Sequence, residues 1–121
     1  MLPKQKEINN TVELSTNQGY PIDKVNQIIP VDGIMYGETF EKLTYLYISD
    51  GKIISTNEGL KRLINKLPIH KFIRVSYTHF INIDYVHKLL LENTLEVILY
   101  NGKIIKVSAG LKKTIEAILK K

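Results

Sequence analysis

The sequence of 121 residues contains no cysteine. Disulfides and thiolate chemistry are thereby excluded, which fits a reducing compartment. No apolar run approaches the roughly 18 residues of a membrane-spanning helix. The opening Met-Leu-Pro-Lys-Gln-Lys-Glu lacks the apolar stretch of a signal peptide. Glycine-rich phosphate loops and the Gly-x-Ser-x-Gly nucleophile turn are missing as well. Arginine is scarce: of 17 basic residues only Arg62 and Arg74 carry a guanidinium. Bidentate reading of guanine therefore has few candidates. His70, His79 and His87 show no tight ligand spacing, so neither a metal nor a cofactor is expected.

What is present is the composition of a single globular domain, 44% apolar and 24% charged, with length enough for one core. The net charge of +5 is unevenly placed. Residues 1–70 balance eight basic against eight acidic side chains, and residues 71–121 hold nine against four. A basic half suits a polyanionic partner, although lysines also serve solubility.

Taken in order, residues 1–10 are polar and aperiodic. Val12 and Leu14, then Tyr20 and Ile22, flank the turn signal Asn17-Gln18-Gly19 and predict a small hairpin. Pro30 makes Ile28–Val31 an edge strand or a strand end. Ile34–Tyr36 predicts a short strand, Gly37–Leu43 a loop, and Thr44–Ser49 a strand. Asp50-Gly51 predicts a type I′ turn into Lys52–Ile54. Ser55-Thr56-Asn57-Glu58 has the form of a capping box, with Ser55 as N-cap. Leu60, Leu63, Ile64 and Leu67 follow at helical spacing, and Pro68 stops them. Lys61 and Arg62 fall on the solvated side of that helix. Leu95–Tyr100 and Lys103–Val107 pair across Asn101-Gly102. Ser108 then opens a last helix with Leu111, Ile115, Ile118 and Leu119 on its buried face.

The two halves are versions of each other. Asp50-Gly51-Lys52-Ile53-Ile54 and Asn101-Gly102-Lys103-Ile104-Ile105 are offset by 51 residues. The same offset carries Gly59-Leu60-Lys61-Arg62 onto Gly110-Leu111-Lys112-Lys113. Each is a strand–hairpin–helix unit that cannot bury its apolar face alone, so the two should pack together.

Between the units lies Phe72-Ile73-Arg74-Val75-Ser76-Tyr77-Thr78-His79-Phe80-Ile81-Asn82. Its apolar ends can be buried in a sheet, which leaves Ser76, Tyr77, Thr78 and His79 as a polar surface corner. Catalysis is not expected there. No carboxylate in the stretch orients His79, and strand alternation points it away from Thr78. Asn82 reads as a buried amide that ties the turn backbone.

Arg74-Val75, then polar residues, then Phe80-Ile81-Asn82 resembles the motif of the LytTR family of bacterial DNA-binding domains, roughly Phe-x-Arg-Val-His-polar-Ser-aromatic-apolar-Val-Asn. Gly33-Ile34-Met35-Tyr36, Asp50-Gly51, Asn101-Gly102 and Val107-Ser108 fit in the same order, over about Ile28 to Ile118. The resemblance implies an elongated, mainly β domain of about ten short strands with two short helices. Residues 1–27 would be a tail with the small hairpin, and residues 28–121 the DNA-binding domain.

The hydroxyls of Ser76 and Thr78 with Arg74, and the helix start Ser108 with Lys112 and Lys113, supply groups for phosphate contacts. The resemblance also implies three places that read bases in duplex DNA. They are the loop from Lys42 to Thr44, the corner at Tyr77 beside Ser76 and Thr78, and Gly110 after Val107-Ser108. The chain departs from the family at Tyr77, where a basic or amide residue is usual, and at Gly110, where arginine is usual. A phospho-acceptor receiver, the family's common fusion partner, does not fit in the 27 or so residues before the match. The expected function is that of a cytoplasmic, non-enzymatic transcription regulator that binds duplex DNA through loops in successive major grooves. A second copy or another regulator is the further partner, and no membrane is involved. The alternative is a protein-interaction module that keeps this fold without base readout.

Overall fold

Alternation builds the first hairpin. The structure, a computed structural model, describes residues 11–18 and 23–120. In β1 (Thr11–Gln18) Val12, Leu14 and Thr16 are buried, while Thr11, Glu13 and Gln18 are exposed. β1 pairs antiparallel with β2 (Asp23–Pro30), which ends at the proline on the edge of its sheet. The return strand of the hairpin thus lies further along the chain than expected; Tyr20 and Ile22 lie outside the described residues.

A 3-10 turn at Val31–Gly33 leads to β3 (Ile34–Phe40), β4 (Leu43–Ile48), β5 (Ile53–Thr56) and α1 (Leu60–Asn65). The loop expected over Gly37–Leu43 is mostly strand. Glu38 pairs with Tyr45 of β4 on one side and with His79 on the other, so only Glu41 and Lys42 remain as connection. Pairing on both sides overrides the weak local pattern. Ser55 is not a helix cap: it lies in β5 opposite Tyr45, and α1 starts after Gly59 without a side-chain cap.

The chain continues through β6 (Phe72–Arg74), β7 (His79–Asn82), a 3-10 turn at Ile83–Tyr85, β8 (Val86–Leu91), β9 (Leu95–Leu99) and β10 (Ile104–Lys106). A 3-10 turn at Ala109–Leu111 precedes α2 (Lys112–Leu119). Sequence pattern does not delimit β8, because its Leu89-Leu90-Leu91 run does not alternate. The described strands form a seven-stranded sheet in the order β2-β1-β5-β4-β3-β7-β6 and a three-stranded sheet, β10-β9-β8. The expected mainly β architecture of ten strands and two short helices is what the chain adopts.

The apolar side chains gather in two clusters rather than one. The first lies between the large sheet and α1 and includes Leu14, Ile29, Leu46, Leu63 and Phe80. The second holds Tyr36, Val75 and Ile81 against Val97, Leu99 and Ile115 from the small sheet and α2. β7 serves both, because Phe80 and Ile81 point to opposite faces. Gly37 makes room for this strand: a Cβ there would lie 2.2 Å from the Phe80 ring.

The repeat extends to hydrogen bonds. Gly51 N–H donates to the Ile48 carbonyl and Gly102 N–H to the Leu99 carbonyl, both at 2.9 Å. Asp50 Oδ1 accepts from Lys52 N–H, as Asn101 Oδ1 does from Lys103 N–H. Positive φ falls at Gly51 (97°) and Gly102 (90°) and not at Asp50 or Asn101. The hairpins are therefore not type I′; each is an i→i+3 turn closed by a left-handed glycine. Ser49 N–H reaches the Gly33 carbonyl, and Tyr100 N–H reaches that of Tyr85. Even the register slip recurs, between Ile34 and Tyr36 and between Val86 and Lys88.

Candidate nucleic-acid interface

The polar corner is held by its own groups. Val75 and Ser76 N–H both donate to the His79 carbonyl, at 3.0 and 3.3 Å. Ser76 Oγ accepts from the N–H of Thr78 and of His79. Arg74 closes the turn from outside: Nη2 donates to the Tyr77 carbonyl at 2.7 Å and Nε to the Ser76 carbonyl at 3.2 Å. Its guanidinium lies 5.5 Å from the centre of the Tyr77 ring, within cation–π range. Two edges of the Arg74 fork thus hold the corner. Tyr77 is left 85% exposed at the apex.

His79 departs from expectation. Its Nδ1 lies 2.9 Å from Thr78 Oγ1, and its Nε2 lies 3.7 Å from Glu38 Oε2 across the β3–β7 pair. The ring folds back onto Thr78 instead of pointing away. Burial pushes the imidazole below its ordinary value, Glu38 pulls it up and Lys103 pushes it down. A gap of 3.7 Å is no hydrogen bond, so Glu38 does not orient this ring as a catalytic base.

The other two expected segments are each tied to the corner by a backbone hydrogen bond. Thr39 N–H donates to the Thr78 carbonyl at 2.8 Å, which ties the β3–β4 hairpin and its exposed Lys42 to one side. Ser108 N–H donates to the Val75 carbonyl at 2.8 Å and ties down the exit of the small sheet. Ser76 and Thr78 are half-buried and partner each other, Oγ to Oγ1 at 3.4 Å. Gly110 is exposed, and a Cβ added there would meet nothing within 4 Å. Lys112 is half-buried and Lys113 is exposed.

Two residues are placed otherwise than expected. Thr44 is 1% exposed; its hydroxyl donates to the Glu58 carbonyl at 2.7 Å and meets Thr39 Oγ1 at 3.2 Å. β4 alternation turns it inward, so it frames the hairpin rather than offering a group. With Thr56 Oγ1 accepting from Glu58 N–H, it fixes the approach to α1. Ser108 caps no helix by its side chain, since its Oγ leans to the Val75 carbonyl at 3.4 Å and α2 begins at Lys112.

Sequence reasoning missed a groove of about 600 Å³ between the corner and α1, lined by Lys61, Arg62, Asn65, Arg74 and Tyr77 among others. Lys61 and Arg62 are more than a solvated helix face once this groove is seen. The signal that points to them is the 51-residue offset, which lays Lys61-Arg62 on Lys112-Lys113.

A two-sheet β domain with a rigid, partly basic loop surface is of the type that docks on nucleic acid. The family model described as the LytTr DNA-binding domain matches residues 25–120, and the chain belongs to that family. Four chains of solved structures are similar. One is the LytTr DNA-binding domain of a Bacillus cereus protein described as a putative methyl-accepting/DNA response regulator. It is 22% identical with a TM-score of 0.73, over 91% of this chain and 96% of that one. Among curated proteins none matches.

Proposed function

We propose that the protein is a bacterial, cytoplasmic transcription regulator that recognises sequence in duplex DNA and catalyses nothing. The observation that carries this reading is the convergence of the Lys42 hairpin, the Tyr77 corner and the Ser108–Lys113 segment through the Thr39–Thr78 and Val75–Ser108 bonds. Phosphate contacts from lysines and backbone groups would set the register, with few base-edge contacts from a chain so poor in arginine. About four to six phosphate contacts give a slope of log K against log salt of about −4 to −5.

Titration of the protein against random duplex over a range of salt tests this, with Lys112→Ala as the informative variant. All duplexes should weaken alike, and the slope should flatten by roughly one. No binding at low salt would overturn the reading. It would favour instead an interaction module that pairs with another regulator, for which the missing side chain at Gly110 is the observation in support.

A further inference from the structure

We propose that Lys61 and Arg62 form a second phosphate-binding arm for the duplex, beside Arg74 and across the corner from the Lys112–Lys113 segment. The inference rests on the DNA reading above and adds a contact that the three loops do not supply.

Two independent observations carry it. The first is geometric: Lys61, Arg62 and Asn65 of α1 share one groove with Arg74 and Tyr77, the exposed apex of the corner. The second is the repeat. Gly59-Leu60-Lys61-Arg62 and Gly110-Leu111-Lys112-Lys113 occupy the same place in their units, each just after the third strand of its half. The corner touches both, through the groove on one hand and through Ser108 on Val75 on the other.

Charge supports an anionic occupant. Lys61 forms no ion pair among the described residues, and the Arg62 side chain is 81% exposed with Glu58 only at 3.9 Å. Glu58 is already engaged by Lys66 at 2.6 Å, so it neutralises little of the groove. Asn65 adds an amide donor. A duplex whose bases meet Tyr77 would carry its phosphodiester backbone past these groups, as register contacts require. The approach to α1 is fixed beforehand, because Thr44 and Thr56 hold both backbone groups of Glu58. The backbone that carries the arm is therefore in place before DNA arrives, and only the exposed side chains remain to be ordered.

The experiment compares wild type with the Lys61→Ala/Arg62→Ala double variant on one long duplex, with salt varied about fourfold. Each lost contact removes about 0.9 from the salt slope, so the double variant should flatten it by about 1.8. The advantage of wild type then shrinks roughly tenfold across that salt range. Lys24→Ala, an exposed lysine of β2, serves as the control and should leave the slope unchanged. On a duplex trimmed to end at the corner, wild type and double variant should converge. Melting of each variant confirms that the fold is intact. An unchanged slope in the double variant, with wild type binding normally, overturns the second arm and leaves the DNA reading standing. A change in preferred sequence at constant slope also overturns it, since that would make these residues base readers. Wild type that binds no duplex at all defeats the DNA reading and the arm together.

Discussion

The backbone N–H of Ser108 donates to the carbonyl of Val75 at 2.8 Å, joining residues 33 positions apart. One belongs to the corner at the end of β6, the other to the exit of β10. The bond ties the corner to the Ala109–Lys113 segment, so a change in either is transmitted to the other.

Gly110→Arg should therefore add a reader without disturbing the fold. The position is exposed, no atom lies within 4 Å of the added Cβ, and its φ is outside the left-handed region. Melting should hold. Affinity should rise, with the salt slope steeper by roughly one and a guanine preference of about 1–3 kcal/mol at one position. Unchanged affinity and selectivity at unchanged melting would show that this segment does not face DNA.

Asn82→Ala should be costly and silent in DNA selectivity. The amide is fully buried; Nδ2 donates to the Ile34 carbonyl at 2.9 Å and Oδ1 accepts from Asp84 N–H at 2.9 Å. The variant leaves a buried carbonyl and a turn N–H without partners, at a cost of about 2–3 kcal/mol. Denaturant unfolding measures the loss. A difference under about 0.5 kcal/mol would show that the amide is dispensable.

Glu41→Gly should stabilise. Glu41 has φ 54°, and no other non-glycine among the described residues is in the left-handed region. Relief of that conformation is worth about 1–2 kcal/mol, offset in part by the larger backbone entropy of glycine when unfolded. A net gain of up to about 1 kcal/mol is expected. The variant also removes a negative charge next to Lys42, so duplex binding should tighten if the hairpin tip faces DNA. Equilibrium unfolding and a salt-dependent binding titration on the same sample check both halves.

Acid should weaken the fold through His79. Its folded value lies below the ordinary 6.5, chiefly because the ring is buried. The unfolded chain then binds the proton more readily, so stability is full above about 6.5 and is lost as pH falls through the lower folded value. Melting temperature followed from about pH 8 to 5 should decline for wild type. In His79→Gln the decline over that window should be smaller, and identical curves would remove His79 as the cause.

Much of this arrangement is written in local pattern. Asp50-Gly51 and Asn101-Gly102 mark their hairpins because a glycine at positive φ is the residue the turn needs. Leu60, Leu63 and Leu67 are buried as their spacing requires. Most of the failures come from partners distant in sequence, and one, at Arg74, from a local turn geometry that pattern does not show. Thr44, expected to open β4 and also to face DNA, is turned inward opposite Thr56, and Ser55, which looks like a cap, lies in the sheet opposite Tyr45. Arg74 reads as a free cation until the corner carbonyls curl back to it. The β3 extension through Glu38 becomes visible only once β7 lies alongside. Lys61 and Arg62 gain meaning only from their closeness to Tyr77.

Gly37 lets the connecting segment lie against β3. Two similar three-stranded units each offer an outer strand, β3 or β8, on which β7 could have paired. The counterpart of Gly37 in the second unit is Leu89: Gly37 pairs with Leu46 and Leu89 with Val97. Leu89 packs against the second cluster, where the first unit has an empty space filled by Phe80. The β3–β7 pairing that carries the corner thus rests on the space left at Gly37. A side chain at Gly37 would drive β3 and the Phe80 ring apart, so the seat of the corner depends on that one missing methyl group.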